Sequence, residues 1–281
     1  MKKITENRHH LSENLDQMST IDILQLMNSE DLSIPSVVNE HLESIEKIIE
    51  NVIASFENKG RLFYIGCGTS GRLGILDASE CHPTFKVDKA LVQGIIAGGE
   101  QAVFQSVEGA EDSYEDGYNI CKKYVINSND TVIGISASGT APFVLGALNY
   151  ASEKSAFSSL LTFNNITPLE YIDLIVEIIT GPEIISGSTR MKAGTATKMI
   201  LNMISTTAMI KTFKVYKNYM VDLKVSNKKL KARAINILNE ILNIPDAVSY
   251  THLRANETRE ARGCRLRGGK KIGGGGGGGG G

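Results

Sequence analysis

The stretch LFYIGCGTSGR, Leu62 to Arg72, decides the fold: a short run with no polar residue, a glycine-rich turn, then a helical pattern from about Gly71 to Cys81. A strand without polar alternation is buried on both faces, as in a parallel sheet whose crossovers lay helices over it. The same unit recurs along the chain. Leu91 to Ile96 reads as a strand ending in AGGE (Ala97 to Glu100), and Thr131 to Ile135 as one ending in SASGT (Ser136 to Thr140). Helical segments near Ser113 to Tyr124 and Pro142 to Glu153 intervene, and Ser158 to Phe163 and Leu174 to Ile179 complete about five strands. Upstream, Val38, Leu42, Ile45, Ile48, Ile49, Val52, Ile53 and Phe56 recur with a period near 3.6, predicting one long amphipathic helix over Pro35 to Asn58. The expected fold class is therefore α/β: a three-layer parallel sheet of about five strands, helices on both faces, preceded by N-terminal helices.

In such sheets ligands bind outside the carboxyl ends of the strands. Gly66, Gly68 and Gly71 satisfy GxGxxG between strand and helix, but Glu100 comes too late to serve as the acidic residue of a dinucleotide fingerprint. No Walker lysine follows any glycine-rich turn either, which removes nucleotide triphosphate chemistry. The hydroxyls of Thr69, Ser70, Ser136, Ser138 and Thr140 lie where helix N-termini expose free N–H groups, a setting that suits a phosphate monoester. Two blander readings stand beside this one. The first loop can be a tight turn that needs glycine for backbone reasons, and Ser138 or Thr140 can cap the next helix. A fourth polar loop, ISGSTRMKAGTATK (Ile185 to Lys198), leads into a long helix through Ile210.

Carboxylates follow two of these loops. Glu80 closes LDASEC (Leu76 to Cys81), and VEGAED (Val107 to Asp112) holds Glu108, Glu111 and Asp112. Paired carboxyl groups beside a sugar can act as general acid and base, although by spacing alone solvated helix charges or N-terminal helix acids explain them better. His9, His10, His41 and His82 share no metal-ligand spacing, so no metal site is expected. Met191, Met199, Met203 and Met209 read as core filler in or beside the long helix.

The chain has 281 residues, 42% of them hydrophobic and 22% charged, with a formal net charge of −1, which excludes disorder and disulfide scaffolds. Seven basic residues (Arg254, Arg259, Arg262, Arg265, Arg267, Lys270, Lys271) against two acids (Glu257, Glu260) fall after Ser249, so the preceding body is acidic and a poor match for nucleic acid. The tail ends in nine consecutive glycines, and VSYTHLRANETREARGCRLRGGKK resembles translated sequencing-adaptor read-through, so residues 248–281 are expected to be a non-native, disordered tail. Cys67, Cys81, Cys121 and Cys264 form no CxxC pair, no apolar run nears the ~20 residues of a membrane helix, and Met1 to Asn14 is polar. A reducing cytoplasm is the expected setting.

Taken together, GTSGRLGILDASEC (Gly68 to Cys81), IAGGE (Ile96 to Glu100), VEGAEDS (Val107 to Ser113) and GSTRMKAGTATK (Gly187 to Lys198) resemble the N-acetylmuramic acid 6-phosphate etherases, built on the flavodoxin-like sugar isomerase (SIS) domain. The resemblance covers about Ile4 to Asn243. It implies hydrolytic cleavage of a D-lactyl ether, giving N-acetylglucosamine 6-phosphate and D-lactate, without metal or organic cofactor, in a homodimer with the active site near the subunit interface. By motif, Glu80 corresponds to the family's catalytic acid and Glu111 to its second catalytic carboxylate. Phosphate contacts correspond to Gly68, Thr69, Ser70, Ser136, Ser138 and Thr140; Ala141 stands where related loops often carry threonine. The implied organisation is an N-terminal helical segment (1–58), a SIS-type domain (59–216) and the start of a truncated C-terminal helical region (217–247). A non-catalytic sugar-phosphate sensor and a sugar-phosphate isomerase share these phosphate loops. No helix-turn-helix fits in the first 35 residues, which disfavours a DNA-binding regulator.

Overall fold

The computed structural model describes residues 3–220 and 228–242; the sequence expectations for 248–281, and the boundary near Ala247, lie outside the described residues. The described chain divides into two units, one through Val215 and one from Tyr216 onward. In the first, β1 (Leu62–Gly66), β2 (Val92–Ile96), β3 (Thr131–Ile135), β4 (Phe157–Thr162) and β5 (Leu174–Glu177) form one sheet in the order β2-β1-β3-β4-β5. Every pairing is parallel, with Gly66 opposite both Ile96 and Ile135. This order reverses direction between β1 and β3, the switch point at which doubly wound sheets open a crevice for ligands.

Strand residues alternate between two cores, which is why β1 carries apolar side chains on both faces. Leu62, Tyr64, Ile133, Ile135 and Leu161 face one helical layer, formed by α3 (Leu42–Glu57), α4 (Gly68–Phe85) and α8 (Lys192–Lys211). Phe63, Ile65, Val132 and Leu160 face the other, formed by α6 (Tyr114–Lys123) and α7 (Pro142–Glu153). Met209 is buried in the first core, Met199 and Met203 pack against it, and Met191 instead caps α8. The chain begins with short 3-10 turns and α1 (Thr20–Asp31); α5 (Gln101–Phe104) is a single turn after β2.

The helix expected over Pro35 to Asn58 is broken. α2 (Ile34–Asn39) ends at Glu40, and α3 starts anew after His41, whose Nδ1 donates to the Val37 carbonyl at 2.9 Å. The apolar period continues through the break because both helices bury the same stripe, Ile34 and Val38 joining Ile45, Ile48 and Val52. α4 in turn runs further than expected at both ends, starting at Gly68 and carrying Pro83 inside its last turn. In the second unit, β7 (Tyr219–Met220) and α9 (Lys228–Leu242) are joined by the Tyr219 hydroxyl donating to Glu240 Oε2 at 2.6 Å; the boundary itself falls within the short strand β6 (Val215–Tyr216). No helix of the described residues is long and apolar enough to cross a membrane.

Candidate active site

The two hydroxyl loops flank the switch point. After β1 the chain turns at once into α4. Gly68 takes φ +52°, and Gly71 packs so tightly that a Cβ there would stand 2.6 Å from Ile96 Cγ1 and 2.7 Å from the Gly66 carbonyl oxygen. The backbone explanation of these glycines therefore holds, and it serves the site: the tight turn aims the first N–H groups of α4, which have no intrahelical acceptor, at the crevice. Thr69 reaches across to α8, where its Cγ2 lies 3.6 Å from the position a Gly194 Cβ would take.

After β3, the hydroxyls of Ser136, Ser138 and Thr140 form a ladder, with Oγ to Oγ at 3.3 Å for the first pair and Oγ to Oγ1 at 3.2 Å for the second. Ser138 Oγ accepts from the Thr140 N–H at 3.2 Å and Ser136 Oγ from the Ala141 N–H at 3.3 Å. Capping of α7 by Ser138 or Thr140 is thereby corrected. The N-cap is Ala141 with no side-chain bond, and Pro142 opens the helix without an N–H to cap. The hydroxyls brace their own loop at the carboxyl end of β3.

α8 differs from the other two helices. Glu183, fully buried, accepts from the Lys192 N–H at 2.9 Å and the Ala193 N–H at 3.0 Å, so the N-terminus of α8 already holds an internal carboxylate. The Lys192 ammonium is buried as well and donates to Glu30 Oε2 at 2.7 Å, where His9 Nε2 also reaches at 3.0 Å. Burial alone works to raise the Glu30 carboxyl; the hydrogen bond and charge of Lys192, with His9, outweigh it and hold the group below its ordinary value. Neither Glu183, Glu30 nor His9 carried a motif signal: Glu183 binds backbone N–H groups, which leave no side-chain pattern, and the Glu30–Lys192 pair spans 162 residues.

A cavity of about 230 Å³ brings Gly68, Cys67 and Arg72 against Glu108, Glu111 and Asp112. Glu111 thus opens toward the N-terminus of α4. Burial pushes the Cys67 thiol up to about 12, with the Glu111 and Asp112 carboxylates adding to the effect. Arg72 donates from Nε to the Val103 carbonyl at 3.0 Å, which ties α4 to α5, the turn that precedes the acid-bearing loop. Glu80 is elsewhere. It is exposed on α4, twelve residues beyond Gly68 and so ~18 Å along the axis, toward the amino edge of the sheet. Its neighbour Asp77 is buried against α8 and accepts from Asn202 Nδ2 at 2.8 Å and Ser205 Oγ at 3.0 Å. Burial raises the Asp77 carboxyl despite these bonds, and burial together with the Asp77 charge raises the Tyr64 phenol.

Similarity to known proteins fits this arrangement. An N-acetylmuramic acid 6-phosphate etherase of Geobacillus sp. (strain WCH70) is 50% identical over 252 residues, spanning 89% of this chain and 85% of the relative. The chain belongs to the N-acetylmuramic acid 6-phosphate etherase family. An etherase of Bacillus cereus (strain ATCC 14579) is 52% identical over 237 residues, covering 84% of this chain and 81% of that one. Within the family framework, residues 44–152 match the glucokinase regulatory protein N-terminal SIS domain and residues 217–255 the C-terminal lid domain of glucokinase regulatory protein. A Bacteroides fragilis NCTC 9343 protein described as a phosphosugar isomerase involved in capsule formation shares the fold, with TM-score 0.52 and 17% identity over 74% of this chain and 98% of that one.

Proposed function

We propose that the protein cleaves the D-lactyl ether of N-acetylmuramic acid 6-phosphate with water, yielding N-acetylglucosamine 6-phosphate and D-lactate. Membership in the etherase family, at about half identity over most of the length of its relatives, carries this reading. The crevice supports it, since a phosphate monoester suits the Ser136–Ser138–Thr140 ladder and the α4 N-terminus at Gly68, Thr69 and Ser70. A sensor of sugar phosphates would need only those loops, but relatives at about 50% identity are etherases, which supports the enzyme and not the sensor.

A lactyl alkoxide is a poor leaving group from sugar carbon 3, so elimination is the favourable route. In the open-chain sugar the aldehyde at carbon 1 acidifies the carbon 2 proton. A carboxylate removes that proton, the C–H electron pair becomes the carbon 2–carbon 3 double bond, and the C3–O bond breaks as a carboxylic acid protonates the leaving lactyl oxygen. Water then adds across the double bond, its oxygen to carbon 3 and a proton to carbon 2. Glu111 suits the base, opening into the cavity beside α4, and Glu80 the acid. Because Glu80 lies ~18 Å along α4 from Gly68, farther than a hexose phosphate extends, a homodimer in which a second copy lends its Glu80 fits the chemistry better than a single chain. The setting that suits this reaction is the cytoplasm, with the enzyme acting on a free sugar phosphate. Incubation with N-acetylmuramic acid 6-phosphate in deuterium oxide is expected to release D-lactate and leave deuterium at carbon 2 of the sugar; product without that label would exclude the elimination route.

A further inference from the structure

Residues 3–10 run along the carboxyl edge of the sheet and are pinned there. Thr5, 1% exposed, donates its N–H to Asn164 Oδ1 at 3.3 Å and accepts from Asn164 Nδ2 at 3.0 Å. Its carbonyl accepts from the Gly187 N–H at 3.0 Å, and the Asn7 carbonyl accepts from Ser186 Oγ at 3.1 Å. Asn164 Nδ2 also donates to the Ala137 carbonyl at 2.8 Å, so the arm is fastened to the same loop that carries the hydroxyl ladder. Two residues before Thr5, the Lys3 ammonium donates to Thr140 Oγ1, the last rung.

Charge makes this contact informative. A phosphate monoester is close to doubly charged at neutral pH, whereas hydroxyls and helix N–H groups offer dipoles and no net charge. Of the cations around the crevice, Arg72 is engaged with the Val103 carbonyl, Lys192 is buried on Glu30, and Arg190 lines another cavity with Glu30 and Asp31. Among the described residues, Lys3 is the basic side chain that hydrogen-bonds the ladder. A neutral hydroxyl is a weak partner for an ammonium; a phosphate oxygen seated on Ser138 and Thr140 would be a stronger one within reach of the same flexible stem.

We infer that Lys3 is a substrate-binding residue, delivered by the pinned N-terminal arm to balance the charge of the phosphate held by Ser136, Ser138 and Thr140. The inference rests on the phosphate reading of that loop given above. The test uses the full chain with any affinity tag at the C-terminus, comparing Lys3→Met and Lys3→Arg with wild type. Lys3→Met is expected to raise KM about five- to tenfold with kcat within twofold, and Lys3→Arg to recover most of the loss, because an ion pair at a partly exposed site is worth only modest affinity. Inhibition by N-acetylglucosamine 6-phosphate is expected to weaken in parallel, and inhibition by N-acetylglucosamine to stay unchanged. Equal weakening toward both sugars would assign Lys3 a structural role and overturn the inference, as would an unchanged KM in an active enzyme. Should the wild-type chain release no D-lactate, the etherase reading fails by itself. Calorimetric binding of inorganic phosphate then decides on Lys3, since its affinity must fall with Lys3→Met and recover with Lys3→Arg.

Discussion

Glu80 and Gly68 stand ~18 Å apart along one helix, α4, while Glu111 shares a cavity with Gly68. The two carboxylates proposed for the chemistry are thus separated within one chain, and that separation gives the proposed dimer a decisive test. Glu80→Gln and Glu111→Gln are each expected to lower kcat roughly 10²- to 10⁴-fold with little change in phosphate-driven binding. Mixing the two inactive variants and allowing subunits to exchange is then expected to restore about a quarter of wild-type activity, since half the dimers are mixed and each mixed dimer has one intact site. If activity stays at the level of the separate variants after confirmed exchange, Glu80 does not act across an interface.

Ser138 sits in the middle of the hydroxyl ladder, bonded to both neighbours and accepting the Thr140 N–H. Replacement by alanine is expected to raise KM for the sugar phosphate roughly tenfold or more, the worth of a hydrogen bond to a charged group, with kcat little changed. Steady-state kinetics that leave both constants as in wild type would move the phosphate away from this loop.

Asp77 predicts a pH effect on stability. Burial holds its carboxyl above the unfolded value of 3.8, so between that value and the raised folded one the native state binds more protons than the unfolded chain. Stability therefore falls as pH rises through this window, and the neutral Asp77→Asn side chain removes that contribution while its oxygen still accepts from Asn202 and Ser205. Thermal melts from acid to neutral pH are expected to show a shallower decline for the variant; parallel curves would mean the Asp77 carboxyl is not raised.

Gly117 is where α6 and α7 touch. A Cβ there would stand 1.8 Å from the Phe143 carbonyl oxygen, an overlap that only a shift of backbone can relieve. Gly117→Ala is expected to cost about 1–3 kcal/mol or more, lowering the melting temperature by several degrees. A variant melting with wild type would show that the two helices can separate freely.

The sheet and the crevice were legible because their signals are local. Leu62 to Ile65 carries no polar residue, and the loops after β1 and β3 gather their glycines and hydroxyls within five or six residues. The break at His41 was not legible, since Ile34 and Val38 keep the helical period across it while the interruption comes from backbone turning and a single side-chain bond to Val37. The pinned arm was equally hidden. Thr5 meets Asn164 and Lys3 meets Thr140 across more than 130 residues, and nothing in KKITEN marks those partners. Glu80 was readable as a motif carboxylate, yet its distance from the hydroxyl loops depends on how far α4 runs, and the sequence reading began that helix three residues late.

The acid-flanked burial of Cys67 has a practical side. A thiol with a pKa of about 12 is ionised on the order of one part in 10⁵ at neutral pH, and Cys81 and Cys121 are pushed to the same range by their own burial. Maleimides and iodoacetamides, which consume thiolate, will therefore leave all three nearly untouched in the folded protein. With Cys264 replaced, a single cysteine introduced on an exposed turn becomes a selective handle for a fluorophore or spin label, without first stripping the native sulfur from the core.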